Sequence, residues 1–349
     1  MTLYNSKTVR QDMDAIAEAT PGWQSLAGKT VLVTGGNSML GTYLAYFLLY
    51  LKEEKDVDVE TLVLTRNREK AEHLFEPFFG KTYFMLLHQD VCDPIAVAKA
   101  DLIFHFAGGC SPSLIKSDPV GIMKANLQGT FNVMETARRT NAMRVILAST
   151  REIYGAADTS LLAETDMGRL DPMDSRSCYP ESKRAEETIA MSYFLQYGVP
   201  FSSVRLAHVY GPGMKTDGDG RVMSDFMSDA LAGRDIVLHS DGTAERAFCY
   251  LSDAIAGLLH VALKGQAGEA YNLSNETENL PIRDVARIIC EESNCGTTVR
   301  YERATDTSGY CRYPRVALDN SKIHALGFRP SVSLREGIRR TLKSNNDLQ

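Results

Sequence analysis

Tyr179 and Lys183 lie four positions apart at the start of a predicted helix, so their side chains share one helix face. A nearby ammonium group stabilises a tyrosinate, and this spacing predicts that Tyr179 acts as a base well below its ordinary pKa of about 10. Upstream, at the end of a predicted strand, Thr150 supplies a hydroxyl and Glu152 a carboxylate. Although a strand-end hydroxyl is also a common backbone cap, these groups together indicate a catalytic site that moves protons.

A glycine-rich turn lies far upstream of this group. Gly35 and Gly41 hold the outer positions of a G-x-x-G-x-x-G turn, and Ser38 stands at the middle one. The turn follows a β-branched run and opens an apolar helix, the context in which helix N–H groups bind a dinucleotide pyrophosphate. We therefore expect Gly35, Ser38, Met39 and Gly41 to bind a cofactor; the alternative is a purely structural turn.

The ends of the next predicted strands offer further cofactor contacts. Folds that bind NAD usually place an acid after the second strand, whereas this chain has Arg66 there, followed by Arg68. These cations favour a 2′-phosphate and hence NADP, unless both are simply solvated residues at a helix start. Asp90 and Val91 are expected to meet the adenine, although Asp90 is equally suited to cap a turn. Ala107, after the fourth strand, together with Tyr179 and Lys183, completes the predicted cofactor site.

The elements that must position these residues alternate between strands and helices. Short apolar runs predict buried strands, and longer amphipathic stretches predict the helices between them. This alternation predicts an α/β fold with a doubly wound parallel sheet, whose ligands bind at the carboxyl ends of the strands. The predicted strands are 30–34, 61–65, 83–87, 102–106, 144–149 and 201–206, and the predicted helices include 41–52, 119–140 and 179–197.

The domain organisation is inferred from changes in composition and in the regularity of the strand–helix alternation along the chain. Residues 1–27 are interpreted as an N-terminal extension with a short helix over 10–19. Residues 28–204 are interpreted as the NAD(P)-binding domain, to which a strand and helix near 236–263 return. Residues 205–235 and 264–349 are interpreted as a smaller substrate-binding lobe, whose first helix is opened by a loop rich in Gly and Asp at 217–220.

Composition excludes several classes of protein. The 349 residues are 44% hydrophobic and 23% charged, which is ordinary for a globular protein and unlike a disordered or fibrous one. The net charge of −6 with interspersed signs gives no basic stripe for nucleic acid. No apolar run is long enough for a membrane span, and no secretory signal is visible. Seven cysteines without metal-ligand spacing favour reduced thiols, a cytoplasmic location and no metal site.

Taken together, these motifs resemble the extended short-chain dehydrogenase/reductases of the nucleotide-sugar epimerase/dehydratase family. The resemblance covers roughly residues 28–340 and rests on the glycine turn, Thr150, Tyr179 and Lys183. It implies a Rossmann sheet, a small C-terminal substrate lobe, bound NAD, with NADP as the alternative, and a nucleotide-sugar substrate. It also implies a homodimer packed through the helices at 119–140 and 179–197.

Several stretches are most similar to the UDP-glucuronate decarboxylases within that family. In those enzymes the residues matching Glu152 and Arg246 surround the sugar carboxylate, and the resemblance implies a UDP-linked substrate. Departures from the pattern include Arg151, where decarboxylases usually have Ser and 4,6-dehydratases have Asp. The segment 108–112 is a partial match to the decarboxylase loop. The resemblance implies substrate contacts at Ser111, His208, Arg221, Val222 and Arg246.

The reaction that the resemblance implies passes through a transient 4-keto sugar. Tyr179, supported by Lys183 and Thr150, removes the 4-hydroxyl proton; the 4-ketone then makes a C6 carboxylate a β-keto acid that loses CO₂. Two other activities, 4-epimerisation and 4,6-dehydration, stay open, and dehydration is less favoured because Arg151 replaces an acid. An alternative of another class is an inert, cofactor-binding regulatory protein.

Overall fold

A computed structural model describes residues 2–215, 220–302 and 317–347. The helices are α1 (Lys7–Ala19), α2 (Met39–Glu54), α3 (Arg68–Phe75), α4 (Pro112–Ser117), α5 (Pro119–Thr140), α6 (Cys178–Tyr197), α7 (Val222–Leu231), α8 (Leu251–Lys264), α9 (Ile282–Ser293), α10 (Ser321–Ala325) and α11 (Leu334–Asn346). The strands are β1 (Thr30–Thr34), β2 (Glu60–Thr65), β3 (Phe84–His88), β4 (Leu102–His105), β5 (Arg144–Thr150), β6 (Leu161–Leu162), β7 (Phe201–Leu206), β8 (Val209–Tyr210), β9 (Ile236–Leu238), β10 (Glu245–Ala247), β11 (Cys249–Tyr250), β12 (Glu269–Leu273), β13 (Asn279–Pro281), β14 (Val299–Tyr301) and β15 (Ala317–Leu318).

Seven strands form the central sheet in the order β12-β7-β5-β4-β1-β2-β3. Each pair of neighbours in that sheet is parallel. This confirms the predicted doubly wound α/β fold, and no end of a predicted strand differs from the observed one by more than one residue. Parallel strands covered on both faces are expected to be apolar throughout, and all five residues of β1 are buried.

The seventh strand of the sheet is not the one that the sequence predicted. We expected a strand near 236–263 to return to the sheet, but β9 pairs with β14 outside it, and β12 is the strand that pairs with β7. The prediction was wrong because β12 reads EAYNL, with a polar Glu269 and Asn272 and no β-branched residue. Only the helix of that prediction, α8, packs against the sheet, with contacts to β5, β7 and β12.

Two helical layers cover the sheet, and alternate residues of β1 face them. Val31 and Val33 join one buried cluster with α1, α2 and α8, whereas Leu32 joins a second cluster with α5 and α6. The period of two along a strand produces this separation. Helix α2 is buried continuously from Gly41 to Leu51, so it lies inside the core. The layers hold the carboxyl ends of β1, β4 and β5 side by side.

The N-terminal segment is part of the first layer. Helix α1 begins at Lys7, three residues before the predicted start, and it packs on α2, α8 and α11. Its Asp12 is fully buried and accepts hydrogen bonds from the Tyr43 hydroxyl at 2.5 Å and the Tyr250 hydroxyl at 2.7 Å. Arg340 Nη1 donates to the other carboxylate oxygen at 2.9 Å. One carboxylate therefore joins four separate parts of the chain.

We expect Asp12→Ala to destabilise the protein by about 3–5 kcal/mol, because it leaves a guanidinium and two buried hydroxyls without their shared acceptor. Chemical unfolding followed by circular dichroism measures the change. Glu18→Ala, at an exposed position of the same helix, is the matched control and should change the free energy of unfolding by less than about 0.5 kcal/mol. Equal effects of the two substitutions would show that the Asp12 contacts carry no special stability.

A separate buried cluster forms the smaller C-terminal lobe. It combines α7, α9 and α11 with β9, and includes Phe226, Ile236, Ile289 and Ile338. Of the predicted Gly- and Asp-rich loop, residues 217–219 lie outside the described part of the chain, and α7 follows it directly. The sheet edge and this lobe meet near β8 and β11, which pair with each other. Within the described ranges, no helix combines the length and apolar character needed to cross a bilayer.

Candidate active site

A cleft of about 190 Å³ opens at the carboxyl ends of β1, β2 and β4. Six residues predicted to bind the cofactor line it: Gly35, Ser38, Arg66, Asp90, Val91 and Ala107. Met39 and Gly41 do not line it; Met39 packs against the core, and Gly41 lies in the first turn of α2. The structure thus brings the four predicted strand-end segments, after β1, β2, β3 and β4, to one site, as expected for a doubly wound sheet.

The glycine turn depends on missing side chains at its outer positions. Gly35 has φ +65°, and a Cβ there would lie 2.6 Å from the Ala107 nitrogen. A Cβ on Gly41 would lie 2.4 Å from the Gly35 carbonyl oxygen. A side chain at either position would therefore clash, so only glycine fits. The absence of side chains lets the turn lie directly against the segment after β4.

Ser38 at the middle position has a local structural role. It precedes α2 in an extended conformation, and its Oγ accepts a hydrogen bond from the Gly41 N–H at 3.1 Å. A serine is among the preferred N-cap residues, which explains why the missing glycine does not distort the turn. The N–H groups of Met39 and Leu40 have no acceptor within the helix and remain suited to an anion.

The cations after β2 are not equivalent. Arg68 Nε lies 2.6 Å from Glu72 Oε1 one helical turn later, so it belongs to the α3 surface. Arg66 lines the cleft, with Nη1 at 3.7 Å from Asp90 Oδ2. Asp90 also accepts from the Cys92 N–H at 2.9 Å, a bond that holds the pKa of its carboxyl below the usual range. Asp90 therefore both caps a turn and lines the cleft.

Tyr179 and Lys183 lie on the first turns of α6 and are almost fully buried, with 8% and 5% of their surface exposed. Lys183 Nζ donates to the Ala148 carbonyl oxygen at 2.8 Å and to Glu186 Oε2 at 2.7 Å. A Cβ added to Gly108, which lines the cleft, would lie 4.0 Å from Nζ. The ammonium group is therefore next to the cofactor cleft.

The electrostatics of Tyr179 differ from the expectation based on spacing alone. Burial raises the pKa of Tyr179 well above its ordinary value, and Cys110 and Glu152 raise it further; a hydrogen bond with Thr150 opposes the rise. The prediction that Lys183 brings this pKa well below 10 is therefore wrong for the protein's own groups. The main physical reason is burial, which disfavours the charged tyrosinate, and Glu186, which lies against Lys183, adds a smaller contribution in the same direction.

Thr150 is the last residue of β5, and Glu152 lies in the short 3-10 turn that follows at Arg151–Tyr154. Thr150 Oγ1 accepts from the Glu152 N–H at 3.2 Å, so it caps this turn while also bonding to Tyr179. Glu152 Oε2 lies 3.4 Å from Arg176 Nη2, and 39% of the Glu152 side chain is exposed. The carboxylate is thus held in place yet open to a ligand. Arg151 between them is half-buried.

Two residues at this site escaped the sequence analysis. Glu186 is fully buried beside Lys183, and its position three residues later in the helix was the available signal. Asn126 on α5 is also buried; its Nδ2 donates to Ser182 Oγ at 2.8 Å, and its Oδ1 would meet a Cβ on Gly108 at 2.4 Å. No local pattern marks Asn126, because only the packing of α5 on α6 brings it there.

The predicted substrate residues occupy more scattered positions. Ser111 caps α4 by accepting from the Leu114 N–H at 3.3 Å, and Arg221 and Val222 begin α7. His208 has φ +44° and packs on Phe248, with the ring centroids 5.7 Å apart. Arg246 lies two residues before Phe248, and its Nη1 donates to the Glu245 carbonyl oxygen at 2.7 Å. Because Phe248 directly follows β10 and His208 closely follows β7, their contact places β10 near the carboxyl end of β7.

Comparisons with known proteins agree with this geometry. UDP-glucuronic acid decarboxylase 6 of Arabidopsis thaliana is 33% identical over 308 residues, which cover 88% of this chain and 86% of the relative. A dTDP-glucose 4,6-dehydratase of Streptomyces venezuelae, solved with NAD bound, matches with a TM-score of 0.77 and 27% identity over 91% of this chain and 97% of the dehydratase.

A third protein shares the fold at lower identity. A UDP-N-acetylglucosamine 4-epimerase of Methanobrevibacter ruminantium matches with a TM-score of 0.80 and 21% identity, over 93% of this chain and 100% of the epimerase. The model of the NAD dependent epimerase/dehydratase family matches residues 31–274, from β1 to the end of β12 and one residue beyond. The glycine turn, the Tyr179–Lys183 pair and the sheet that joins them all lie in that range, and the chain belongs to the NAD dependent epimerase/dehydratase family.

Proposed function

We propose that this protein is an NAD-dependent decarboxylase of UDP-glucuronate that acts through a transient 4-keto sugar. The observation that carries the proposal is the buried Tyr179–Lys183 pair, bonded to Thr150 and set at the edge of a dinucleotide-shaped cleft. Glu152, exposed beside the pair, supplies the carboxylate that the decarboxylase relatives share by resemblance. The names of those relatives support the choice of substrate.

The cleft fits a dinucleotide because its walls are backbone where a phosphate must approach closely. Gly35 and Gly41 leave no room for a Cβ, and α2 points its first N–H groups toward the turn. Gly35, Ser38 and the Met39 N–H would hold the pyrophosphate, and Gly41 would serve by letting the turn pack closely rather than by donating, since its N–H is bonded to Ser38. Asp90 with Val91 would meet the adenosine. When bound, the dinucleotide supplies the acceptor for the C4 hydride.

The chain's own groups divide the remaining work. Tyr179 must first be ionised, and the hydrogen bond with Thr150 stabilises this tyrosinate. The tyrosinate then accepts the proton of the sugar 4-hydroxyl. Lys183, whose ammonium group lies beside Gly108 at the cleft, would hold the bound cofactor, and its charge would favour the tyrosinate form of Tyr179. Arg246 anchors the C6 carboxylate by a charge-assisted pair, and Glu152 positions the ring or carries a proton after CO₂ has left.

The decisive experiment is incubation with a panel of nucleotide sugars followed by mass spectrometry of the products. UDP-glucuronate should lose the mass of CO₂. Loss of the mass of water from a neutral sugar would instead identify a dehydratase. An isomer of unchanged mass would identify a 4-epimerase. Failure to convert any member of the panel would contradict the enzyme function and favour an inert, cofactor-binding regulatory protein.

A 4-epimerase is the second candidate, since it needs only Tyr179, Lys183 and a ketone that rotates in the site. The contact residues of the lobe do not exclude a neutral sugar. A dehydratase is less well supported, because Arg151 stands where the acid of an acid–base pair would be required. The panel above distinguishes all three activities.

We also propose NAD rather than NADP as the cofactor. Arg68 forms an ion pair with Glu72, and Arg66 forms one with Asp90. The charge of each arginine is therefore already compensated, which disfavours binding of a 2′-phosphate. We expect NAD to be released when the purified protein is denatured and the supernatant is separated by chromatography. Arg66→Ala should leave that result unchanged, with Arg68→Ala as the matched control. Release of NADP, and its loss in the Arg66 variant, would contradict the proposal.

We further propose a homodimer that packs through α5 and α6. These helices contact each other and expose apolar side chains on their outer face: Phe131, Leu195 and Tyr197. Exposed aromatic and aliphatic groups on adjacent helices are typical of a subunit interface. Light scattering should give about twice the mass of one chain, and a monomer at micromolar concentration would contradict this proposal.

A further inference from the structure

Glu186 is a buried ionisable group beside Lys183 for which the proposed mechanism has no use. Its side chain is fully buried on α6, one helical turn after Lys183 and two turns after Tyr179. Oε2 lies 2.7 Å from Lys183 Nζ, and within the described part of the chain Oε1 has no hydrogen-bond partner. Burying a carboxylate is costly unless it is paired, so the contact with Lys183 is what makes a charged Glu186 tolerable at this position.

The contacts of Lys183 show what Glu186 does to its geometry. An ammonium group has three donors, and two of them are occupied by the Ala148 carbonyl oxygen and by Glu186. Nζ also lies beside Gly108 at the cofactor cleft. With two donors fixed by groups on β5 and α6, the third is held in one direction, available to a ligand in the cleft or to Tyr179.

The charges around Glu186 do not offer it another partner. On its own helix, Glu187 is paired with Arg205 of β7, whose Nη2 lies 2.8 Å from Glu187 Oε2. From β4, His105 is buried, and burial lowers its pKa to about 3, so it is neutral. Burial raises the pKa of Glu186 itself to about 7, so its carboxylate is ionised in the alkaline range in which Tyr179 titrates. Glu186 therefore acts on the charge of Lys183 and, through it, on Tyr179.

We propose that Glu186 is a positioning residue of the Tyr179–Lys183 pair, whose carboxylate fixes the Lys183 ammonium and compensates its charge, so that Tyr179 retains its proton to higher pH than Lys183 alone would allow. This inference rests on the proposed function only for the role of Tyr179 as base. It agrees with the raised pKa of Tyr179, to which burial contributes most and Glu186 adds.

The test is an ultraviolet titration of tyrosinate in the purified full-length protein, which needs no substrate. The absorbance of a Tyr179→Phe variant, subtracted at each pH, isolates the Tyr179 signal. We expect Glu186→Gln to move the alkaline step of Tyr179 down by about one pH unit, or equally to raise its tyrosinate fraction about tenfold at a fixed pH below alkaline unfolding. Stopped-flow pH jumps allow the tyrosinate absorbance to be recorded before the protein unfolds at alkaline pH.

The matched controls separate this role from a structural one. Glu181→Gln removes a half-exposed carboxylate from the same helix and should leave the step unchanged. Glu186→Asp keeps the charge but withdraws it from Nζ, so the step should move in the same direction by less. The Asp variant also serves if the Gln variant does not fold. An unmoved step in a folded Glu186 variant, or an equal shift in Glu181→Gln, would overturn the inference.

The titration also separates failure of this inference from failure of the proposed function. If no nucleotide sugar is converted but the step still moves, the charge role of Glu186 stands and the decarboxylase proposal falls. If UDP-glucuronate is decarboxylated and the step does not move, the opposite holds. With an active enzyme, the ascending limb of kcat/KM, which reports ionisation of the base, should shift down in pH with the tyrosinate step. A loss of rate without that shift would indicate a merely structural Glu186.

Discussion

Tyr179→Phe should reduce turnover by about 10²–10⁴-fold while leaving cofactor binding intact. The phenol hydroxyl is the group that accepts the substrate proton, whereas the ring packs against Ile115 and Ile122, and phenylalanine fills that space equally well. The residues that line the dinucleotide cleft belong to other segments, after β1, β2, β3 and β4. Steady-state kinetics on UDP-glucuronate, together with the amount of nucleotide that copurifies, checks both parts.

Tyr197→Phe is the matched control, because it removes a hydroxyl from the exposed end of the same helix. Its turnover should equal that of the wild type. If Tyr179→Phe retained activity within a few-fold of wild type, Tyr179 would have no part in proton transfer. If instead the cofactor were lost together with the activity, the hydroxyl would serve binding rather than chemistry.

Arg246→Ala should lower kcat/KM for UDP-glucuronate by about 10–100-fold and barely change the affinity for UDP alone. A guanidinium can hold the C6 carboxylate with two parallel hydrogen bonds, and Arg246→Lys should be impaired as well, since an ammonium cannot reproduce that geometry. Arg246 lies on β10, two residues before the Phe248 that packs on His208. Kinetics and calorimetric titration with UDP measure the two quantities.

The rival role of Arg246 is to bind the nucleotide diphosphate. That role predicts that turnover and UDP affinity fall together, and such a result would move the proposal toward an epimerase of a neutral sugar. Arg234→Ala is the control for a general loss of positive charge on the lobe, because Arg234 is exposed and pairs with Asp229 at 2.9 Å. It should alter neither quantity.

Local patterns in the sequence predicted the elements that carry their own signal. The strands 30–34 and 201–206 and the helix 119–140 match the structure residue for residue, because a β-branched run or a capped amphipathic stretch needs no distant partner to be recognised. In contrast, β12 joins the sheet without a strand-like pattern, since pairing with β7 and the cover of α8 stabilise it there. The sequence likewise marks the N-terminal helix as an extension of the domain, whereas the Asp12 contacts with Tyr43 and Arg340 make it part of the core.

The same division holds at the site. The sequence by itself determined the family, the cofactor turn and the Tyr179–Lys183 pair, because each depends on residues a few positions apart whose spacing fixes their common face. Only the tertiary structure decided the charge at that site. It buries Tyr179, places Glu186 against Lys183 and brings Asn126 from another helix, and burial strengthens every one of these interactions. Spacing shows which groups can meet, whereas the pKa of Tyr179 depends on how much water and which opposing charges the folded chain leaves around it.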